Sequence, residues 1–197
     1  DMPLGKRAYW PIYAAAERLG LSIGIHAGSA YHNPPTSVGW GSYHIEDYVA
    51  QAQAFQTQLT SLIVEGVFAR HPALKMVMLE SGWSWLPSYL WRLHKFWRGV
   101  RMETPWVDRS PQEIVRSNVR FSLQPVDAPP EPEMLNRVID HMQSDELLLF
   151  STDYPHWQFD GDEVLPPGLS PDLVRKIMID NPLATYGRLE FAKETTP

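Results

Sequence analysis

Leu147-Leu148-Leu149-Phe150-Ser151-Thr152-Asp153-Tyr154-Pro155-His156 decides how the chain is read. Four apolar residues run straight into Ser-Thr-Asp and then a proline. So short a continuous apolar run reads as a strand buried on both faces, as in a parallel sheet. The pattern predicts a strand over 147–152 with Asp153 at its end. Pro155 stops the ladder there, because it has no N–H to donate. A carboxylate at the C-terminal end of a buried parallel strand is costly unless something pairs with it. In α/β folds that edge is where ligands and metals are bound. Asp153 is therefore read as a site residue.

Three more runs end the same way. Leu21-Ser-Ile-Gly-Ile-His26, Leu74-Lys-Met-Val-Met-Leu-Glu80 and Val119-Arg-Phe-Ser-Leu123 are short strands, closing at His26, Glu80 and Gln124. Helical patterns lie between them. Residues 8–20 place Ile12, Ala15, Ala16 and Leu19 on one face, with Gly20 as the stop. From His44 to Arg70 the apolar residues recur at helical spacing, with one break expected near Gln56-Thr57. Trp83-Ser-Trp-Leu-Pro87 leads into a helix through Phe96, and Ser110-Pro-Gln-Glu113 is a capped start. Further helices are expected at 131–142, at 170–177 and from Asp180. Residues 27–43 form a polar, aromatic loop of the length that carries function. The alternation implies a parallel sheet with right-handed crossovers.

The 197 residues fit one domain, read as 1–197, with a sizeable core. A formal net charge of −6 argues against a nucleic-acid surface. It suits a cytoplasmic protein with a small-molecule substrate. Without cysteine there is no thiolate metal site. No stretch approaches the roughly 20 apolar residues of a membrane span, so neither a membrane nor a nucleic acid is an expected partner.

His26, Glu80, Gln124 and Asp153 would share one rim of the sheet. His and Asp are good ligands for Zn²⁺ or another borderline divalent ion. Such an ion would lower the pKa of a bound water and polarise a substrate oxygen. The other reading makes His26 a satisfied strand-end histidine and Asp153 a turn cap, and spacing alone leaves both open.

Five motifs, taken in order, carry a resemblance. They are Ile25-His-Ala-Gly28, His71-Pro72 with Leu74-Lys75, Glu80-Ser-Gly-Trp-Ser-Trp-Leu-Pro87, Ser151-Thr-Asp-Tyr-Pro-His156 and Asn181-Pro-Leu-Ala184. Together they resemble the amidohydrolase-related family, the aminocarboxymuconate-semialdehyde decarboxylase-like group, from about residue 8 to 189. The resemblance implies an α/β fold of the (β/α)₈ TIM-barrel type, of which this chain covers about the last four βα units. It implies a divalent metal ion, Zn²⁺ first and Mn²⁺ second, with His26 and Asp153 as ligands and Asp153 also handling the proton of the metal-bound water. The implied activity is metal-dependent hydrolysis of a small carbonyl or carboxylate substrate, or non-oxidative decarboxylation.

Two departures matter. The His-x-His pair of the family's first strand occurs nowhere in the chain. That leaves room for an inactive half-barrel serving as an interaction module, and for a homo-oligomer or association with an N-terminal half. The family's sixth-strand catalytic His position reads Glu80, which is a general base, a substrate-binding carboxylate or a structural pair for an arginine. His156, three residues after Asp153 on the same rim, is expected to contact substrate or to support a ligand from behind. Trp83 and Trp157 are expected either to wall a substrate pocket or to pack structurally.

Overall fold

The structure, a computed structural model, describes residues 2–28, 39 and 41–189. Four strands, β1 (Ile23–His26), β2 (Met76–Leu79), β3 (Val119–Ser122) and β4 (Leu148–Leu149), form one sheet in the order β1-β2-β3-β4. Every neighbouring pair is parallel, with Ile23 opposite Met76, Met76 opposite Val119 and Phe121 opposite Leu148. Helix α1 (Trp10–Leu19) precedes β1; α2 (His44–Val64), α3 (Val67–Arg70), α4 (Leu86–Val100), α5 (Pro111–Asn118) and α6 (Pro132–Met142) carry the crossovers; α7 (Pro171–Arg175) and α8 (Asn181–Thr185) follow β4.

The register sorts side chains by face, because successive strand residues point to opposite sides. Met76, Met78, Val119, Phe121 and Leu148 join the buried core with Phe55, Leu59, Leu62, Phe68, Leu86 and Ile114 from the helices. Gly24, His26, Val77, Leu79, Arg120, Ser122 and Leu149 fall on the second face. Such an arrangement is half of a (β/α)₈ barrel, with helices outside and the second face toward the axis.

Buried asparagines tie the N-terminal ends of the strands. Asn118 donates to the Pro72 and Leu74 carbonyls at 2.9 and 2.8 Å. Asn181 does the same for Asp145 and Leu148, at 2.9 and 3.0 Å. Helix α5 opens with a reciprocal cap: Ser110 Oγ accepts from the Glu113 amide, while Glu113 accepts from the Ser110 amide at 2.8 Å.

Several expectations need correction. Helix α2 runs unbroken through Gln56-Thr57, where the Thr57 and Thr60 hydroxyls bond back to the Gln53 and Gln56 carbonyls. The break comes at Gly66, whose φ of +81° suits glycine and whose absent Cβ would meet Trp106 at 2.5 Å. Helix α1 buries Tyr13 and Ala16, whereas Ile12 and Leu19 are exposed. Strand β4 is shorter than read, because the Phe150 amide leaves the ladder to bond the Ile177 carbonyl. Asp153 thus stands four residues past the last paired position rather than at the strand end. Most of the 27–43 loop lies outside the described residues.

Candidate active-site rim

The C-terminal ends of β1 and β2 bring His26 and Glu80 together. His26 lies opposite Leu79, and the Ala27 amide extends the ladder to the Leu79 carbonyl at 3.2 Å. Glu80 directly follows β2, and its Oε1 sits 2.9 Å from His26 Nε2. The other ring nitrogen, Nδ1, faces the Ala27 carbonyl. Both ring nitrogens thus face oxygen atoms, which favours the protonated ring. The Ala27 carbonyl, followed by the charges of Glu80 and Asp153, outweighs desolvation and raises the His26 pKa.

Glu80 and Asp153 share a backbone peculiarity. Their φ angles are +56° and +59°, in the left-handed region that only glycine enters freely. Strained residues of this kind cluster where function over-determines the backbone. At Glu80 the surroundings do so: its amide donates to Ser122 Oγ at 2.8 Å, and Ser122 Oγ donates on to the Gln124 carbonyl at 3.1 Å. At Asp153 a turn closes from the His156 amide to the Asp153 carbonyl at 2.8 Å.

Asp153 and His156 form the second pair. His156 Nδ1 is 3.4 Å from Asp153 Oδ2, and the Asp153 side chain is only 6% exposed. Neither atom makes a hydrogen bond among the described residues. A buried carboxylate oxygen without a donor is costly, and a cation would relieve it. Asp153 thus offers a spare acceptor to a cation, although no group of three or more His, Asp or Glu that could hold a metal ion forms among the described residues.

The remaining candidates separate. Trp83, read as a possible pocket wall, is fully buried: its indole N–H donates to the Leu123 carbonyl at 3.2 Å, and the ring belongs to the core. Trp157 is 73% exposed and meets Tyr48 edge-on at 5.9 Å, joining α2 to the loop after β4. Gln124 lies at the rim, but its amide is spent on the Val164 carbonyl and the Val126 amide. His71 is buried away from the rim against Glu17, at 3.0 Å.

Asp127 escaped the sequence reading. Its Oδ1 accepts from the Trp83 and Ser84 amides at 3.0 and 3.1 Å, and its Oδ2 would clash with a Cβ on Gly82 at 2.2 Å. The available signal was its place in the loop after a strand, on the same rim. A cleft of about 380 Å³ opens beside Glu80, lined by Tyr48, Val49, Gln51, Ala52, Glu80, Gly82, Asp127 and Gln158 among others.

Half of a parallel barrel with His, Glu and Asp on its C-terminal rim defines a class, that of the (β/α)₈ barrels. More particularly, the chain belongs to the amidohydrolase family, whose model matches residues 1–188. No match is found among curated proteins. Among solved structures it is similar to an amidohydrolase from Mycobacterium avium subsp. paratuberculosis K-10, with 26% identity, TM-score 0.70, and 97% of this chain and 48% of that one covered. It is also similar in fold to a 5-carboxyvanillate decarboxylase from Novosphingobium aromaticivorans DSM 12444 with bound manganese (18%, TM-score 0.71, 94% and 54% covered). A third likeness is to 4-oxalomesaconate hydratase from Rhodopseudomonas palustris (16%, TM-score 0.60, 95% and 52% covered). The chain spans about half the length of these structures.

Proposed function

We propose that this chain is the C-terminal part of a metal-dependent enzyme that hydrolyses a small carbonyl or carboxylate substrate, with His26 and Asp153 as metal ligands. The observation that carries the reading is Asp153 Oδ2, buried and making no hydrogen bond among the described residues, beside His156 on the rim that also presents His26. A divalent ion, Zn²⁺ or Mn²⁺, would supply Lewis acidity toward the substrate oxygen and acidify a water. Two ligands are too few for a tight site, so the full set draws on further residues, from an N-terminal half or from another copy.

The chain's own groups have defined tasks. The Ala27 carbonyl holds the proton of His26 on Nδ1 and leaves Nε2 as the donor atom. Glu80 receives the proton that Nε2 gives up, across 2.9 Å. Asp153 takes the proton of the attacking water, and His156, 3.4 Å away, passes it on or steadies the carboxylate.

Glu80 also favours a second reading, non-oxidative decarboxylation. Once protonated it is an acid on the rim, able to deliver a proton to the carbon from which CO₂ departs as the C–C bond breaks. The test incubates the full chain with Mn²⁺ or Zn²⁺ and a panel of hydroxybenzoates and aryl lactones, measuring CO₂ and released acid separately. Lactone opening supports hydrolysis and CO₂ supports decarboxylation; either activity should vanish in Asp153→Asn. Turnover that survives this substitution would overturn both readings.

A further inference from the structure

Backbone bonding alone does not hold the rim together. The β3–β4 ladder runs from the Phe121 amide to the Leu147 carbonyl and from the Leu123 amide to the Leu149 carbonyl, 2.8 Å each. The next donor in that series is residue 125, a proline without an N–H, so the ladder ends there. Side-chain hydroxyls take over above it. The Gln124 amide donates to Ser151 Oγ at 2.9 Å, and the Glu80 amide donates to Ser122 Oγ at 2.8 Å. Ser122 Oγ donates in turn to the Gln124 carbonyl at 3.1 Å. One chain of bonds thus runs Glu80, Ser122, Gln124, Ser151 across the ends of β2, β3 and β4.

The middle of this chain is buried. Ser122 and Gln124 are 4% and 1% exposed, and a buried polar group is costly unless it is paired. The Gln124 side chain is fixed as well, donating to the Val164 carbonyl and accepting from the Val126 amide. Each end of the chain adjoins backbone in the left-handed region: Glu80 itself at φ +56°, and Asp153, two residues after Ser151, at φ +59°. Beyond Ser151 the turn is pinned again. The Tyr154 amide donates to Thr152 Oγ1 at 3.2 Å, and the His156 amide to the Asp153 carbonyl at 2.8 Å. Such conformations persist only where the surroundings over-determine them.

We propose that Ser122 and Ser151 are positioning residues, whose hydroxyls lock the Glu80 and Asp153 turns into one frame so that neither carboxylate shifts without the other. The proposal rests on the rim reading only for what the frame serves, the placing of Asp153 as a metal ligand with Glu80 beside His26. Neither hydroxyl is asked to touch substrate or metal. Both act through the carboxylates they hold.

The experiment follows amide hydrogen exchange by NMR on the full, metal-free chain, with Phe121 and Leu123 as internal references for global stability. Ser122→Ala should speed exchange at Glu80 about fivefold relative to those references, the scale of one hydrogen bond. Ser151→Ala should do the same at Gln124 and, through Ser122, speed Glu80 at least about twofold. In the double variant Glu80 should exchange no faster than in Ser122→Ala alone, because the link is already broken. Ser151→Thr, which keeps the hydroxyl, should restore the parental pattern. Ser151→Ala decides the matter by itself should Ser122→Ala fold poorly. An unchanged Glu80 amide in Ser151→Ala, or a double variant whose effect on Glu80 is the product of the two single effects, would overturn the proposal. Mn²⁺ affinity on the same samples separates the frame from the rim reading. Ser151→Ala should weaken it at least about tenfold, the scale for removing a group that orients a ligand. Equal affinity in parent and variant would overturn the positioning role. A parent chain that binds no Mn²⁺ would sink the rim reading and leave the frame to be judged on exchange alone.

Discussion

His26 Nε2 and Glu80 Oε1 lie 2.9 Å apart across the first two strands, while His26 Nδ1 faces the Ala27 carbonyl. An NMR titration of the metal-free chain should place the His26 midpoint above the ordinary 6.5. Glu80→Gln should lower it part of the way, because the Ala27 carbonyl, the largest contributor, remains. A raised folded pKa stabilises the fold fully below the unfolded value, and that contribution is lost as pH rises through the folded one. With the ring 58% exposed, solvent keeps the effect on stability small. A midpoint at or below 6.5 would contradict the pairing.

Trp83 is a core residue in this account, not a wall of the site. Trp83→Ala should cost about 3–5 kcal/mol, the usual price of deleting a buried aromatic ring. Urea denaturation reads it directly. A loss under about 1 kcal/mol, the typical scale of an ordinary point mutation, would place the ring elsewhere.

Gly82 makes the Glu80 turn possible. At φ +63°, with Asp127 Oδ2 only 2.2 Å from the position of a Cβ, it admits no side chain without movement. Gly82→Ala should destabilise by about 1–3 kcal/mol from the backbone strain alone, and should shift the amide resonances of Trp83 and Ser84. Unchanged stability and spectra would contradict the clamp.

The cap of α5 predicts an acid-sensitive helix start. Hydrogen bonds from the Ser110 hydroxyl, then from its amide, hold the Glu113 carboxyl below its ordinary 4.5. A depressed carboxylate pKa gives stability above the unfolded value that is lost as pH falls through the folded one. Thermal melts of Glu113→Gln should therefore show a smaller loss on acidification below pH 4.5 than the parent chain shows. Parallel curves would remove the cap from the account.

Much of this was legible in the sequence because its signals are local. Four apolar runs ending in His26, Glu80, Gln124 and Asp153 announced a parallel sheet and its rim, and Ser110-Pro-Gln-Glu113 announced a helix start. What escaped depended on contacts between distant segments. Periodicity placed Ile12 inward, but Tyr13 is buried there, its hydroxyl bonded to the Leu4 carbonyl at 2.6 Å. The break in α2 belongs to Gly66, through its contact with Trp106, 40 residues on. Asp127 has no motif at all, and only the fold carries it to the Gly82 turn.

The central claim is that His26 and Asp153 ligate a divalent ion, which is tested most directly by titrating Mn²⁺ into the ¹⁵N-labelled full chain. The account predicts selective paramagnetic broadening of Ala27, Asp153 and His156, abolished in the His26→Ala, Asp153→Asn double variant. Asn suits that position because it tolerates the left-handed backbone Asp153 adopts at φ +59°. Broadening confined to other carboxylates, such as those around Asp140 and Asp145, or no broadening in a folded chain, would contradict it.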